Sequence, residues 1–137
     1  MGRKELLSMS PSETVRIGEE MGRVARPGTI YALYGELGSG KTEFVKGIAK
    51  GLGVEEWEYV CSPTFTIMNV YEGRMRLCHV DLFRIRGEEV GALAIEEYLD
   101  DGVVCVEWAE KGRFEGAVKV YIDVLSETQR RFLIVEP

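Results

Sequence analysis

At 137 residues the chain is long enough for one compact domain with its own core, residues 1–137, and too short for a second. Hydrophobic residues make up 45% of it and charged residues 29%, and no apolar run approaches the roughly 18 residues needed to cross a bilayer. A net charge of -6 argues against a broad nucleic-acid-binding surface on the chain itself, so any RNA is expected to be carried by a partner.

The first residues, MGRKELLSMS, lack the long apolar core and small-residue cleavage site of a secretory signal, which predicts a cytoplasmic protein with no membrane attachment. Ser10-Pro11-Ser12-Glu13 reads as a capping box with proline at the first helical position, so a helix is expected to about Arg23. Arg26-Pro27-Gly28 turns the chain, and Thr29 to Tyr34 suits a central strand. A glycine run follows, and then Phe44, Val45, Ile48, Ala49 and Leu52 recur at helical spacing until Gly51 and Gly53 end the pattern. Phe65 to Tyr71 and Met75 to Phe83 favour strands, with Glu72-Gly73-Arg74 as the hairpin turn between them. Glu88 to Asp100 reads as a helix, with Val90, Leu93, Ala94 and Tyr98 on one face and Gly102 just past its end. Val103 to Val106 is a buried strand ending at Glu107; Val118 to Val124 alternates, and Phe132 to Val135 closes a last hairpin after SETQRR. This order predicts an α/β fold, a sheet layered between helices on both faces with antiparallel additions.

Cys61, Cys78 and Cys105 are odd in number and widely spaced, which fits reduced thiols rather than a disulfide framework. Cys78 adjoins the sole histidine, His79, and the two would point to opposite faces of a strand, which disfavours a metal site there.

The glycine run carries the chemistry. Gly35-Glu36-Leu37-Gly38-Ser39-Gly40-Lys41-Thr42 matches the phosphate-loop pattern in full, with a strand before it and a helix after it. Such glycines let backbone N–H groups turn inward around an anion, and the helix adds the positive end of its dipole. Lys41 is placed to reach the β- and γ-phosphates, and the Thr42 hydroxyl to ligate Mg²⁺ bridging them. A nucleotide site also needs a carboxylate on the metal side, usually at the end of a buried strand. Glu107, closing VVCV, is the better match; Asp81, in CHVDLFR, is placed to orient or deprotonate an attacking water, and the two roles are open to exchange.

Around them stand residues with two readings each. Ser62-Pro63-Thr64 is either a switch-like segment sensing the γ-phosphate or a turn stiffened by proline. His79 shares a strand face with Asp81, and either positions it or is a satisfied structural histidine. Arg84 and Arg86 either meet phosphate or a partner, or are solvated; Trp108 either packs over the site or is core. No N-K-x-D segment reads a guanine edge, so ATP is expected rather than GTP. Three classes remain: an ATPase coupled to a partner, a small-molecule kinase for which no arginine-rich lid is apparent, and a nucleotide-dependent binding module.

Taken together, GELGSGKTEF, SPTF, HVDLFR and VEWAE, in this order and over nearly the whole chain, resemble the bacterial TsaE family, the ATPase component of tRNA threonylcarbamoyladenosine synthesis. The resemblance implies a P-loop NTPase fold and ATP hydrolysis with Mg²⁺. It also implies action on a complex of TsaD and TsaB, which modifies adenosine 37 of tRNA, so that tRNA is met only through partners. Carried over by residue, it implies phosphate contact by Lys41, Mg²⁺ ligation by Thr42 and Glu107, a hydrolytic role for Asp81, a switch-like Ser62, Pro63 and Thr64, and adenine contact near Thr14. Phe83 stands where the family often has tyrosine, and Ala109 where it often has proline.

Overall fold

Strand β2 (Ile30–Tyr34) lies inside the sheet because both its faces are apolar: Tyr31 and Leu33 enter one hydrophobic cluster and Ala32 the other. In the computed structural model, which describes residues 2–63 and 67–137, it belongs to a seven-stranded mixed sheet. The other strands are β1 (Arg3–Ser8), β3 (Met68–Glu72), β4 (Arg76–Asp81), β5 (Gly102–Glu107), β6 (Val118–Val124) and β7 (Arg130–Val135). Their order is β1-β7-β6-β2-β5-β4-β3, with β4, β5, β2 and β6 parallel and β3, β7 and β1 added antiparallel. All six residues of β5 are buried, as expected for a parallel strand covered on both faces.

Helices α1 (Pro11–Val24) and α2 (Lys41–Gly51) cover one face. Helix α1 starts as its sequence predicts: the Glu13 N–H donates to Ser10 Oγ, and the Glu13 carboxylate accepts from the Met9 N–H. The two helices meet through glycine. A Cβ at Gly18 would lie 2.4 Å from the Phe44 carbonyl oxygen, and one at Gly47 would lie 2.2 Å from that of Val15. Gly22 and Gly51 repeat the arrangement one turn on, at 2.4 Å from Ile48 O and 2.3 Å from Glu19 O. Gly51, read from sequence as a stop signal, is thus the last residue of α2 and part of this contact. Backbone against backbone, the packing brings the start of α1 beside the loop that opens α2.

The opposite face departs from expectation. Residues 88–100 form 3-10 turns, Gly87–Leu93 and Ile95–Tyr98, rather than one α-helix. Gly91 weakens a helix by about 1 kcal/mol, and Ala94 adopts a left-handed conformation (φ 51°) that reverses the path between the two turns. The break lets Val90 and Leu93, then Ile95 and Tyr98, all reach the sheet face around Cys78, Val80, Val104 and Val106. Burial outweighs the helical spacing. β1 was also unforeseen: the N-terminal segment pairs with β7 along its whole length, Arg3 opposite Val135 and Ser8 opposite Arg130. Among the described residues no helix is long and apolar enough to cross a membrane.

Candidate functional site

β2 ends at Tyr34 and α2 begins at Lys41, so the glycine loop sits at the carboxyl edge of an interior parallel strand, where open α/β sheets bind ligands. Gly40, the residue before α2, has φ 105°, a conformation that costs a side chain dearly, and no side chain among the described residues caps the helix. The first N–H groups of α2 are therefore left for an external acceptor. Ser39 is buried in the loop, and its hydroxyl has no hydrogen-bond partner among the described residues. Leu37, at the loop tip, is 80% exposed.

Lys41 is only 5% exposed. Its ammonium donates to the carbonyls of Gly35 and Glu36 and lies 3.9 Å from the centroid of the Trp108 ring. Burial pushes its pKa down, with Glu107 the leading opposing charge. Trp108 has φ 59°, unusual for a bulky residue, and its ring also meets Phe83 at 5.0 Å. Both of its readings describe its place: it stands over the loop lysine and also packs against the core cluster that contains Val80 and Val106.

Three oxygen-bearing side chains converge beside Lys41. Thr42 Oγ1 and Ser62 Oγ are 2.7 Å apart, and they lie 3.1 Å and 3.3 Å from Glu107 Oε2. His79 Nε2 is 2.6 Å from the same oxygen, and the imidazole is fully buried. The β4–β5 register explains this. Asp81 pairs with Glu107, and His79 lies one same-face step back, opposite Cys105, which leaves its ring reaching along the sheet to Glu107 rather than to Asp81. Cys78 points to the other face, as its position predicts.

Asp81 lines the same cleft of about 370 Å³ as Ser39, Lys41, Thr42, Ser62 and Glu107. One of its carboxylate oxygens accepts from the Phe83 N–H at 2.9 Å. Burial raises its pKa above the usual value of 3.8; the Phe83 bond opposes the rise, and the neighbouring Glu107 charge adds to it.

The remaining sequence candidates fall as follows. Thr14 is buried at the start of α1, next to Gly40, but its hydroxyl is engaged with Ser8 Oγ at 2.8 Å. Thr64 lies outside the described residues. Arg84 is exposed, and Arg86 pairs with Glu88 and Glu89. One neighbour of the loop was missed from sequence, Arg130, and so was Ser8, the partner of the Thr14 hydroxyl. The Arg130 Nε donates to Ser39 O at 2.9 Å and Nη2 to Gly38 O at 3.2 Å. Arg130 carries no local signal, because it reaches the loop only through the β6–β7 pairing. A wider groove of about 600 Å³, between β1 and the end of α1, contains none of the loop's residues.

The oxygen-only set suits a hard divalent cation. No group of three or more His, Cys, Asp and Glu side chains forms a metal cage among the described residues. Mg²⁺ needs none, since it keeps several waters and takes one or two protein oxygens together with phosphates. Uncapped helix, buried lysine and clustered oxygens together fit a polyphosphate with its metal.

Comparison with known proteins agrees with the motif set. The family model of TsaE, the threonylcarbamoyl adenosine biosynthesis protein, matches residues 8–132. The tRNA threonylcarbamoyladenosine biosynthesis protein TsaE of Aquifex aeolicus is 34% identical over 96% of this chain and 95% of its own length. Its counterpart from Treponema pallidum is 36% identical over 93% and 97%. The crystal structure of YdiB from Bacillus subtilis superposes with a TM-score of 0.77 at 29% identity, covering 98% of this chain and 86% of that one.

Proposed function

The chain belongs to the TsaE family of threonylcarbamoyl adenosine biosynthesis proteins, and from that membership we propose that it is the ATP-binding and hydrolysing component of the tRNA modification machinery. On this reading it works in the cytoplasm on a complex of TsaD and TsaB, allowing repeated turnover at adenosine 37, and meets tRNA only through those partners. Its acidic balance, -6 overall, supports a role that needs no RNA groove of its own.

The observation that carries the ATPase reading is the convergence of Thr42, Ser62 and Glu107 beside Lys41 at the uncapped start of α2. Lys41 is held by loop carbonyls and the Trp108 face, a store from which a phosphate oxygen would draw it as the stronger acceptor. Thr42 and Glu107 would hold Mg²⁺, with His79 fixing the orientation of the Glu107 carboxylate through Oε2. When bound, Mg²⁺ neutralises charge on the β- and γ-phosphates. Asp81, anchored by the Phe83 N–H and raised in pKa, would accept the proton of an attacking water.

A calorimetric titration of ATP with Mg²⁺ into the wild type and Lys41→Ala tests this reading. Binding by the wild type and its loss in the variant are expected; equal affinities would remove the phosphate-loop assignment.

A further inference from the structure

We propose that Arg130 is a positioning residue that holds the phosphate loop in its anion-accepting shape from outside the cleft; the proposal rests on the nucleotide-binding reading above. Arg130 opens β7, and β7 starts at the edge of the sheet where β2 ends, because β6 runs parallel to β2 and β7 returns antiparallel to β6. Its guanidinium spends its donors on backbone carbonyls of two segments. Nε and Nη2 go to Ser39 O and Gly38 O in the loop, and Nη1 goes to Ser126 O at 2.7 Å and Gln129 O at 3.0 Å in the β6–β7 turn. The loop contact spans 91 residues of sequence.

The consequence follows from peptide geometry. In a trans peptide the carbonyl and the next N–H point in opposite directions. Holding Ser39 O outward therefore turns the Gly40 N–H toward the cleft, and holding Gly38 O outward fixes the Ser39 N–H, which closes the loop on Glu36 O at 3.0 Å. These peptides most need holding, since Gly38 and Gly40 lie at φ 77° and 105° and glycine resists rotation least. A rigid planar fork serves both peptides at once, whereas a lysine ammonium is a point donor on a flexible stem.

The test measures binding of fluorescent ADP and ATP, with thermal unfolding, for the wild type, Arg130→Ala, Arg130→Lys and Arg131→Ala. Arg131 is the control, since it is exposed and pairs with Asp123 on the surface. Arg130→Ala is expected to lose about tenfold in affinity, roughly 1.4 kcal/mol, for ADP and ATP alike, because the loop amides serve the phosphates that both share. Arg130→Lys should also bind more weakly than wild type, which keeps the test decisive if the alanine variant does not fold. ADP should protect the amides of residues 36–42 from hydrogen exchange less well in both. Arg130 variants that melt lower but bind as the wild type does would show a purely structural hairpin residue and overturn the proposal, as would an equal loss in Arg131→Ala. A wild type that binds no nucleotide would instead remove the underlying reading.

Discussion

Glu107 gathers Thr42, Ser62 and His79 onto one carboxylate while only 3% exposed, so its replacement separates chemistry from binding. Glu107→Gln keeps the shape and should lower Mg²⁺-dependent hydrolysis on the order of 100-fold, within the several kcal/mol a metal contributes, while changing ATP affinity far less; wild-type turnover would move the metal-side role to Asp81. Asp81 carries a second prediction through its raised pKa. The native state holds that proton more tightly than the unfolded chain, so the stability Asp81 contributes is present below 3.8 and lost as pH rises through the raised native value. At neutral pH its ionised form is a cost, and Asp81→Asn should raise the melting temperature while lowering hydrolysis by about 10²–10⁴-fold. An unchanged or lower melting temperature would contradict the burial argument. In the wild type, hydrolysis should fall on the acid side with a midpoint above 3.8, measured as a pH–rate profile. Lys41, Thr42 and Glu107 were legible because a local spacing and a strand end mark them. The contact of His79 with Glu107 and the reach of Arg130 were not, since both depend on which strands become neighbours.

At the scale of elements, the site rests on how closely α1 and α2 approach. Gly47 faces the Val15 carbonyl at a distance no Cβ can occupy, and backbone cannot yield as a side chain would. Gly47→Ala, harmless in an isolated helix, should therefore destabilise by about 3 kcal/mol, the upper end for overpacking, as read by chemical denaturation. Arg74, in the β3–β4 turn, donates to the carbonyls of Gly22 at 2.7 Å and Arg23 at 2.9 Å, placing a cation at the C-terminus of α1. The helices and the central strands were readable from capping, periodicity and continuous apolar runs. Residues 88–100 misled because their apolar spacing fits a helix while Gly91 and the turn at Ala94 let the same side chains cover the sheet more fully. β1 was hidden because, in an edge strand of six residues, only Leu6 and Ser8 are withdrawn from solvent, which offers little pattern.

For the whole molecule, the carboxyl ends of the parallel strands gather the loop, the carboxylates and the β6–β7 turn at one edge of the sheet, in an acidic chain. Lys41 rests on carbonyls and an aromatic face, and Thr42 rests on Glu107, so the lysine and threonine of the site are held by their neighbours. On the proposed ATPase reading, such a site would turn over slowly alone and faster when a partner orders it. Steady-state ATP hydrolysis by the purified protein, alone and with TsaD and TsaB and with Lys41→Ala as the blank, tests the proposed partner-coupled ATPase most directly. A low rate alone that rises with the partners and vanishes in the variant is the predicted result; equal rates with and without them would contradict it.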